Sequence, residues 1–406
     1  MTAPLEGVRA IEWATLANGP MIGVQLGWMG ADVIKVEERG VDDMSRGVAT
    51  SGGIDMKMRT GINLMHEDAN RNKRSMTLDL KKEKGKEILY KMVEQSDVFY
   101  TNYYKATAVR LGLDFKTLSQ YNPKLVYCTN SGFGSKGPDK KKRCFDPLGQ
   151  ARSGLMSAFG DPDGEPSLIV GYACDILGAT MGAYGILAAL VARELHGVGQ
   201  EIDTSILDSG MWLNQSNISA ALWRGKNRRK WSPFTTNNPL ANHYQCKDGK
   251  WLELCEVRSA DKFWHEFCQI LGIEDIENDP RFADFQSRSK HIKEAVQAIR
   301  KVFVTKTREE WMNFFEEKKA GFAYAPLHEF LDVAKDPQVI ANDYIIDFDH
   351  PVQGPVKLVN FPVQFSETPA GPKSAAPECG QHTEEILLDF GYSWEDITEL
   401  REQEVI

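Results

Sequence analysis

The chain has 406 residues, 42% apolar and 26% charged, the balance of a globular protein long enough for two ordinary domains. Its net charge of −9 argues against general nucleic-acid binding. Seven scattered cysteines without a C-x-x-C pair exclude a disulfide framework and a cysteine-based zinc site, and point to a reducing, cytoplasmic setting.

Val8–Trp13 has the composition of a strand. Pro20 stands at a plausible first helical position, and Met21–Met29 is apolar and closed by Gly30. Asp32–Glu37 is a second strand, so the chain opens with a βαβ unit. Glu6, Arg9 and Glu12 interrupt the first apolar stretch and argue against a signal peptide. The turn Leu16–Pro20 lacks G-x-G-x-x-G, so a dinucleotide site fails where that fingerprint belongs. A literal G-x-G-x-x-G at Gly132–Gly137 is followed by Pro138 and a lysine run, which cannot open an amphipathic helix, and is expected to be a loop.

Residues 40–70 are expected to be loop-rich. Strands follow at 74–80, 97–101 and 125–129, with a helix over 84–96 whose Ile88, Leu89, Met92 and Val93 share one face. This alternation predicts a doubly wound, Rossmann-like α/β domain with a ligand at the carboxyl ends of its strands, where Arg39, Asn102 and Ser131 fall. Lys140–Arg143 is a basic tract that reads as a solvated loop or as an anion site for phosphates.

Gly171–Leu190 carries a single carboxylate, Asp175, where a loop gives way to a helix rich in Gly and Ala. There it is expected as an N-cap, favoured by the helix dipole, or as a carboxylate nucleophile. Gly178, Gly182 and Gly185 each cost about 1 kcal/mol against Ala, so a close approach by another group is expected. Cys174 is the rival nucleophile, with a buried inert thiol as the better expectation. The apolar run 176–192 is shorter than the ~20 residues of a membrane span and reads as a core helix.

A last strand at 199–206 precedes a linker over 224–243. A hairpin with an Asp-Gly turn at 244–254 and helices near 260–271, 289–304 and 308–318 predict a smaller α+β domain. The expected division is 1–223 for the large domain, 224–330 for linker and small domain, and 331–406 for a segment completing the large one. Within that return, 356–361 reads as a strand, 383–389 as a helix, and Ser393–Asp396 has capping-box spacing. His382 reads as structural. Trp223, Trp231 and Phe234 suit either an acyl pocket or ordinary packing.

The opening Met1–Gly7, Gly19–Pro20, Gly30–Glu37, Asn72–Ser75 leading to Leu78–Asp79, the Ser131–Gly134 loop and Gly380–Leu387 together resemble family III CoA-transferases, the group of formyl-CoA, carnitine and bile-acid CoA-transferases. Asn342–Tyr344 and Val304–Thr307 are most similar to the members acting on 2-hydroxy acids of amino-acid fermentation, such as aryllactate or 2-hydroxyisocaproate. The resemblance implies an interlocked homodimer and transfer of CoA from an acyl-CoA to a free carboxylic acid, with Asp175 acylated. It implies CoA contacts at Leu16, Ala17, Asn18, Arg39, Leu78, Lys81, Asn102, Tyr103, Arg110 and Arg143, and substrate orientation by Asp146, Gly132 and Gly134. It implies no tightly bound cofactor and no metal, coenzyme A and acyl-CoA being substrates, and neither nucleic acid nor membrane as partner.

Ala17 stands where formyl-CoA transferases carry Gln, and the Gly-rich loop of their small domain is missing here, which argues against formyl-CoA. Racemases of the same fold place His before the Asp that matches Asp146. Here Phe145 stands there and cannot move a proton, so 2-methylacyl-CoA racemisation is the weaker alternative. A non-catalytic CoA-binding protein is the third reading.

Overall fold

The computed structural model describes residues 2–160, 162–257 and 260–406, and the chain divides into two units. The large unit comprises Met1–Ser157, Ser167–Lys226 and Asp343–Ile406. Its centre is a sheet of six parallel strands: β1 (Arg9–Trp13), β2 (Asp32–Glu37), β3 (Lys73–Thr77), β4 (Val98–Thr101), β5 (Val126–Ser131) and β6 (Gln200–Ser205). Their spatial order is β3-β2-β1-β4-β5-β6. The order reverses between β1 and β4, and the crevice beyond the carboxyl ends of those strands is where open α/β sheets hold ligands.

Successive strand residues point to opposite faces. Ala10, Val33, Val98 and Val126 therefore enter one core, with Ile22 of helix α1 (Pro20–Trp28). Ile11, Ile34, Phe99 and Tyr127 enter the other, with Ile88 and Leu89 of helix α2 (Glu83–Glu94) and Ile386 and Leu400 from the C-terminal return. Both faces are covered, as an all-parallel sheet requires. Further large-unit helices are α3 (Asp146–Arg152), α4 (Ala173–His196) and α5 (Ile206–Leu213).

Helix α4 has 24 residues, longer than the apolar run suggested, and by length and composition alone it could cross a membrane. It packs instead on α1, α5, β5 and β6 through Gly178, Ala179, Gly182, Ala183 and Ile186, while Tyr184, Val191 and Leu195 stay exposed. Residues 40–70 hold two short helices, Met44–Gly47 and Leu64–Asn70, capped by the side chains of Asp43 and Asn63. In the return, Ser393 and Asp396 complete a capping box. His382 is structural, its ring nitrogen accepting from the Ser75 amide at 3.2 Å.

The small unit comprises Ala158–Pro166 and Asn227–Asn342. It is wider than the 224–330 expected. Residues 158–166 join it because Lys230 Nζ donates to the carbonyls of Gly164 and Glu165. Its three antiparallel strands run in the order 324–327, 251–255, 241–245. The expected hairpin is present, with Gly249 at φ 78° in the Asp-Gly turn. Tyr244, Phe267, Phe303, Trp311 and Phe315 form its core against the helices Ala260–Leu271, Ile292–Phe303 and Arg308–Glu317.

Candidate active site

Asp175 lies in the first turn of α4 but is not its cap. The capping position is Tyr172, which has φ 61° and offers no side-chain cap bond. A tyrosine in the left-handed region is strained, of order 1–2 kcal/mol, and such strain concentrates at functional turns. The cap comes from another helix. Asp146, the first residue of α3, accepts from the amides of Cys174 at 2.7 Å and Asp175 at 3.2 Å. Its other oxygen accepts from Gln150 Nε2 at 2.6 Å. Asp146 thus forms a bridge between helices.

With its amide served by Asp146, the Asp175 carboxylate has no helical duty. The side chain is buried, and Oδ1 has no hydrogen-bond partner among the described residues. Burial, then the Asp146 charge, push its pKa up to about 7. Cys174 is fully buried, and burial lifts its thiol to about 12; burial, then the Asp175 charge, lift Cys144 to about 12 as well. Thiolate chemistry at neutral pH is therefore disfavoured at both sulfurs.

Two cavities open at the carboxyl ends of the strands. The larger, about 610 Å³, is lined by Trp13, Glu37, Glu38, Leu78, Lys81, Tyr103 and Arg110 among others, so it sits where β1 through β4 end. The smaller, about 350 Å³, is lined by Asn102, Tyr103, Ser131, Gly132, Gly134 and Lys140–Lys142. Tyr103 borders both and packs on Trp13 with ring centroids 4.4 Å apart. The Gly132 loop touches the Asp175 neighbourhood through Cys144: a Cβ on Gly132 would lie 2.3 Å from that of Cys144. The loop after β5 opens no helix, as expected of Gly132–Gly137.

The residues singled out from the sequence divide into three groups. Leu78, Lys81, Asn102, Tyr103, Arg110, Gly132 and Gly134 line the cavities. Leu16, Ala17 and Asn18 form a loop packed inward, with Ala17 and Asn18 buried and Asn18 Nδ2 donating to the Asp175 carbonyl at 3.1 Å. The remaining pair lines neither cavity: Arg39 donates to the carbonyl of Ile406 at 3.0 Å and pairs with Glu404, while Arg143 is exposed. Asn102 has a structural duty besides its place in the wall. Its amide exchanges two hydrogen bonds with the Thr15 backbone, at 3.0 and 2.8 Å. Trp231 and Phe234 border a cavity of the small unit, whereas Trp223 is solvent-exposed on the large one.

A buried charged cluster escaped the sequence reading. Lys35 Nζ lies 2.9 Å from Glu12 and 2.7 Å from Asp43, and Lys73 Nζ lies 2.7 Å from the other Glu12 oxygen. Tyr100 also donates to Glu12. Burial opposes the charges, yet Glu12 and Asp43 hold Lys35 above its usual range, and Lys35 holds Asp43 below its own. Asp43 in turn accepts from Ser45 at 2.8 Å and from the Leu16 amide at 3.0 Å, fixing Leu16 at φ 71°. The cluster anchors the loop that carries Asn18. The signal available was polar residues at strand positions, Glu12, Lys35 and Lys73, that fall on one face of three adjacent strands, Glu12 opposite Lys35 and Lys73 opposite Val33.

A sequence model of CoA-transferase family III matches residues 5–383. The chain belongs to this family. It is 32% identical to Cinnamoyl-CoA:phenyllactate CoA-transferase of Clostridium sporogenes, covering 100% of this chain and 98% of that protein. It is 29% identical to (R)-2-hydroxy-4-methylpentanoate CoA-transferase of Clostridioides difficile, over 99% of each chain. A crystal structure of a CAIB/BAIF family protein from Brucella suis superposes with a TM-score of 0.83 at 27% identity, covering 96% of this chain and 100% of that one. The protein is a CoA-transferase of family III, whose substrates are CoA thioesters and carboxylic acids. Among the described residues no cluster of His, Cys, Asp and Glu could hold a metal ion.

Proposed function

We propose that this CoA-transferase moves CoA from an acyl-CoA donor to a 2-hydroxy acid, with Asp175 as the acyl acceptor. The observation that carries the reading is a buried carboxylate on the first turn of α4, with one oxygen unpartnered and its amide capped by a different residue. An oxygen with no structural hydrogen bond of its own is free to act as a nucleophile.

An Asp175 oxygen attacks the donor thioester carbonyl. The C–S bond breaks, giving an acyl-aspartyl anhydride and CoA thiolate. The thiolate attacks the aspartyl carbonyl, releases the donor acid and leaves an aspartyl-CoA thioester. The acceptor carboxylate attacks that thioester and expels the thiolate, and the new anhydride passes its acyl group to sulfur. Asp175 returns as a carboxylate. One thioester is exchanged for another, so no ATP is consumed. In the loop after β5 the Gly132 and Phe133 amides are suited to hold developing oxyanions, the Gly134 amide donating to Ser131 Oγ at 3.1 Å. Burial excludes water, which would hydrolyse both activated species.

The cavity bordered by Leu78, Lys81, Tyr103 and Arg110 is suited to the nucleotide end of CoA, with Arg110 for phosphate oxygens and Lys81 able to exchange its ion pair with Glu38 for one. Lys140–Lys142 at the smaller cavity give further positive charge beside the thioester arm. The 2-hydroxy acid class rests on the two named clostridial relatives. A homodimer is proposed on the same resemblance.

Asp175→Ala is expected to abolish transfer while leaving CoA affinity within about threefold. Wild-type-like turnover would refute the assignment. Incubation with acyl-CoA, then hydroxylamine and peptide mass analysis, is expected to mark Asp175; a mark on Cys174 would replace the carboxylate by the thiol. A panel of 2-hydroxy acids against simple carboxylic acids, followed by chromatography of the thioesters, tests the substrate class.

A further inference from the structure

Behind Asp175 lies a polar niche made by three elements. Asn18 precedes α1, Asn130 is the penultimate residue of β5, and Gly178 and Gly182 form the inner face of α4. A Cβ on Gly178 would lie 2.7 Å from Asn18 Nδ2, 3.4 Å from Ser209 Oγ and 3.6 Å from Asn130 Oδ1. One turn further on, a Cβ on Gly182 would lie 3.7 Å from Asn130 Nδ2. The Asn130 carboxamide therefore lies along the glycine face of the helix, one end toward each glycine.

Asn130 is 1% exposed, and neither its oxygen nor its nitrogen has a hydrogen-bond partner among the described residues. Asn18 Oδ1 and Asp175 Oδ1 are likewise buried without partners. Ser209 differs, since its hydroxyl donates to the Ser205 carbonyl at 2.8 Å. Unpartnered buried amides are destabilising, and an aliphatic side chain of similar volume would fill the same space without that cost. One amide with both ends unpartnered and a second with its oxygen unpartnered, packed on Gly178 one helical turn from the Asp175 carboxylate, call for an electrostatic role. The Asn130 oxygen lies toward Gly178 and its nitrogen toward Gly182, and because neither end is bonded, a half-turn of the terminal torsion exchanges them and brings the N–H end toward Asp175, where it favours the anion.

We infer, resting on Asp175 as the acyl acceptor, that Asn130 is a positioning residue for the transfer reaction: with Asn18 it forms a buried amide pair that holds the Asp175 carboxylate ionised and oriented. Asn18 is the direct member, bonded to the Asp175 backbone carbonyl, and Asn130 acts from behind it across Gly178. The other titratable groups around Asp175 are few. Asp146 faces it from α3, Cys144 from the preceding loop, and Cys174 lies beside it on α4. Helix α1 contributes none, and α5 contributes only Asp208, on its exposed side. Both thiols stay protonated at neutral pH, so among the described residues Asp146 is the opposing charge.

The test is the pH dependence of transfer in Asn130→Leu, with Asn130→Ser as a smaller replacement in case the larger side chain prevents folding. Asp175 must be ionised to attack, so activity falls as pH drops through its pKa. Loss of the amide raises that pKa. The acid limb of kcat/KM is expected to move up by about one pH unit, lowering activity at pH 7 roughly fivefold, with recovery to within about twofold at pH 9 and an unchanged KM for acyl-CoA. Ser209→Ala is expected to leave the limb in place. An Asn130 variant that loses activity equally at every pH, or loses none, overturns the proposal. The Asp175 carboxyl resonance, assigned with Asp175→Asn and titrated by 13C NMR, gives a readout independent of transfer. If Asp175→Ala remains active while the titration moves with Asn130, the nucleophile assignment fails and the amide pair stands. An unmoved titration overturns the pair alone.

Discussion

Replacing Asp175 by Asn removes one charge and almost no volume, and the structure makes its effect on stability calculable. The folded carboxyl has a pKa of about 7 because it is buried beside Asp146, against about 3.9 in the unfolded chain. Between those values the folded state binds more protons than the unfolded one, so stability falls as pH rises from about 4 to 7 and stays low above that. Relative to a neutral isostere the ionised side chain costs up to roughly 4 kcal/mol at pH 8, roughly 1–2 at pH 5 and under 1 at pH 4. Asp175→Asn is therefore expected to be more stable than wild type at pH 8, with the gain shrinking steadily toward pH 4. Urea unfolding at several pH values, read by hydrogen exchange of peptides from the large unit, keeps the small unit's transition out of the measurement. A stability difference that is flat across this range would show that Asp175 is solvated, and the argument for a dry nucleophile would fall with it.

Asp146→Asn keeps an acceptor for the Cys174 and Asp175 amides but removes the opposing charge, so the acid limb of transfer is expected to move to lower pH; an upward shift would contradict the like-charge account. Asp146→Ala also removes the cap and is expected to lower stability by about 1–2 kcal/mol in denaturant titration. Gly178→Ala gains about 1 kcal/mol of helix propensity but drives a Cβ to within 2.7 Å of Asn18 Nδ2, so transfer is expected to suffer more than CoA binding, as kcat against KM would show. Glu12→Gln leaves Lys35 and Lys73 without their shared carboxylate and is expected to cost about 3–5 kcal/mol by chemical denaturation. Lys81→Ala with Arg110→Ala is expected to raise KM for acyl-CoA several-fold at low salt with little change in kcat; an unchanged KM would move the nucleotide out of the larger cavity.

Much of the large unit was legible in the chain because its signals are local. Alternating apolar runs bounded by Gly and Pro mark β2 and α1, and Ser393–Asp396 carries its own cap. Asp175 stood out because a lone carboxylate interrupts an apolar, glycine-studded stretch. The small unit's hairpin was legible from its Asp-Gly turn, but the join of 158–166 was not, since Lys230 reaches those carbonyls across more than sixty residues of chain.

What the linear order determined, then, is the class of fold, the helix bearing the carboxylate and the family pattern, each encoded by neighbours in sequence. Tertiary structure alone decided the state of that carboxylate. Asp146 caps it from 29 residues away, Asn18 grips its carbonyl from a separation of 157, and burial raises its pKa. Desolvation and charge act through space, and no spacing of residues along the chain records the distances on which they depend.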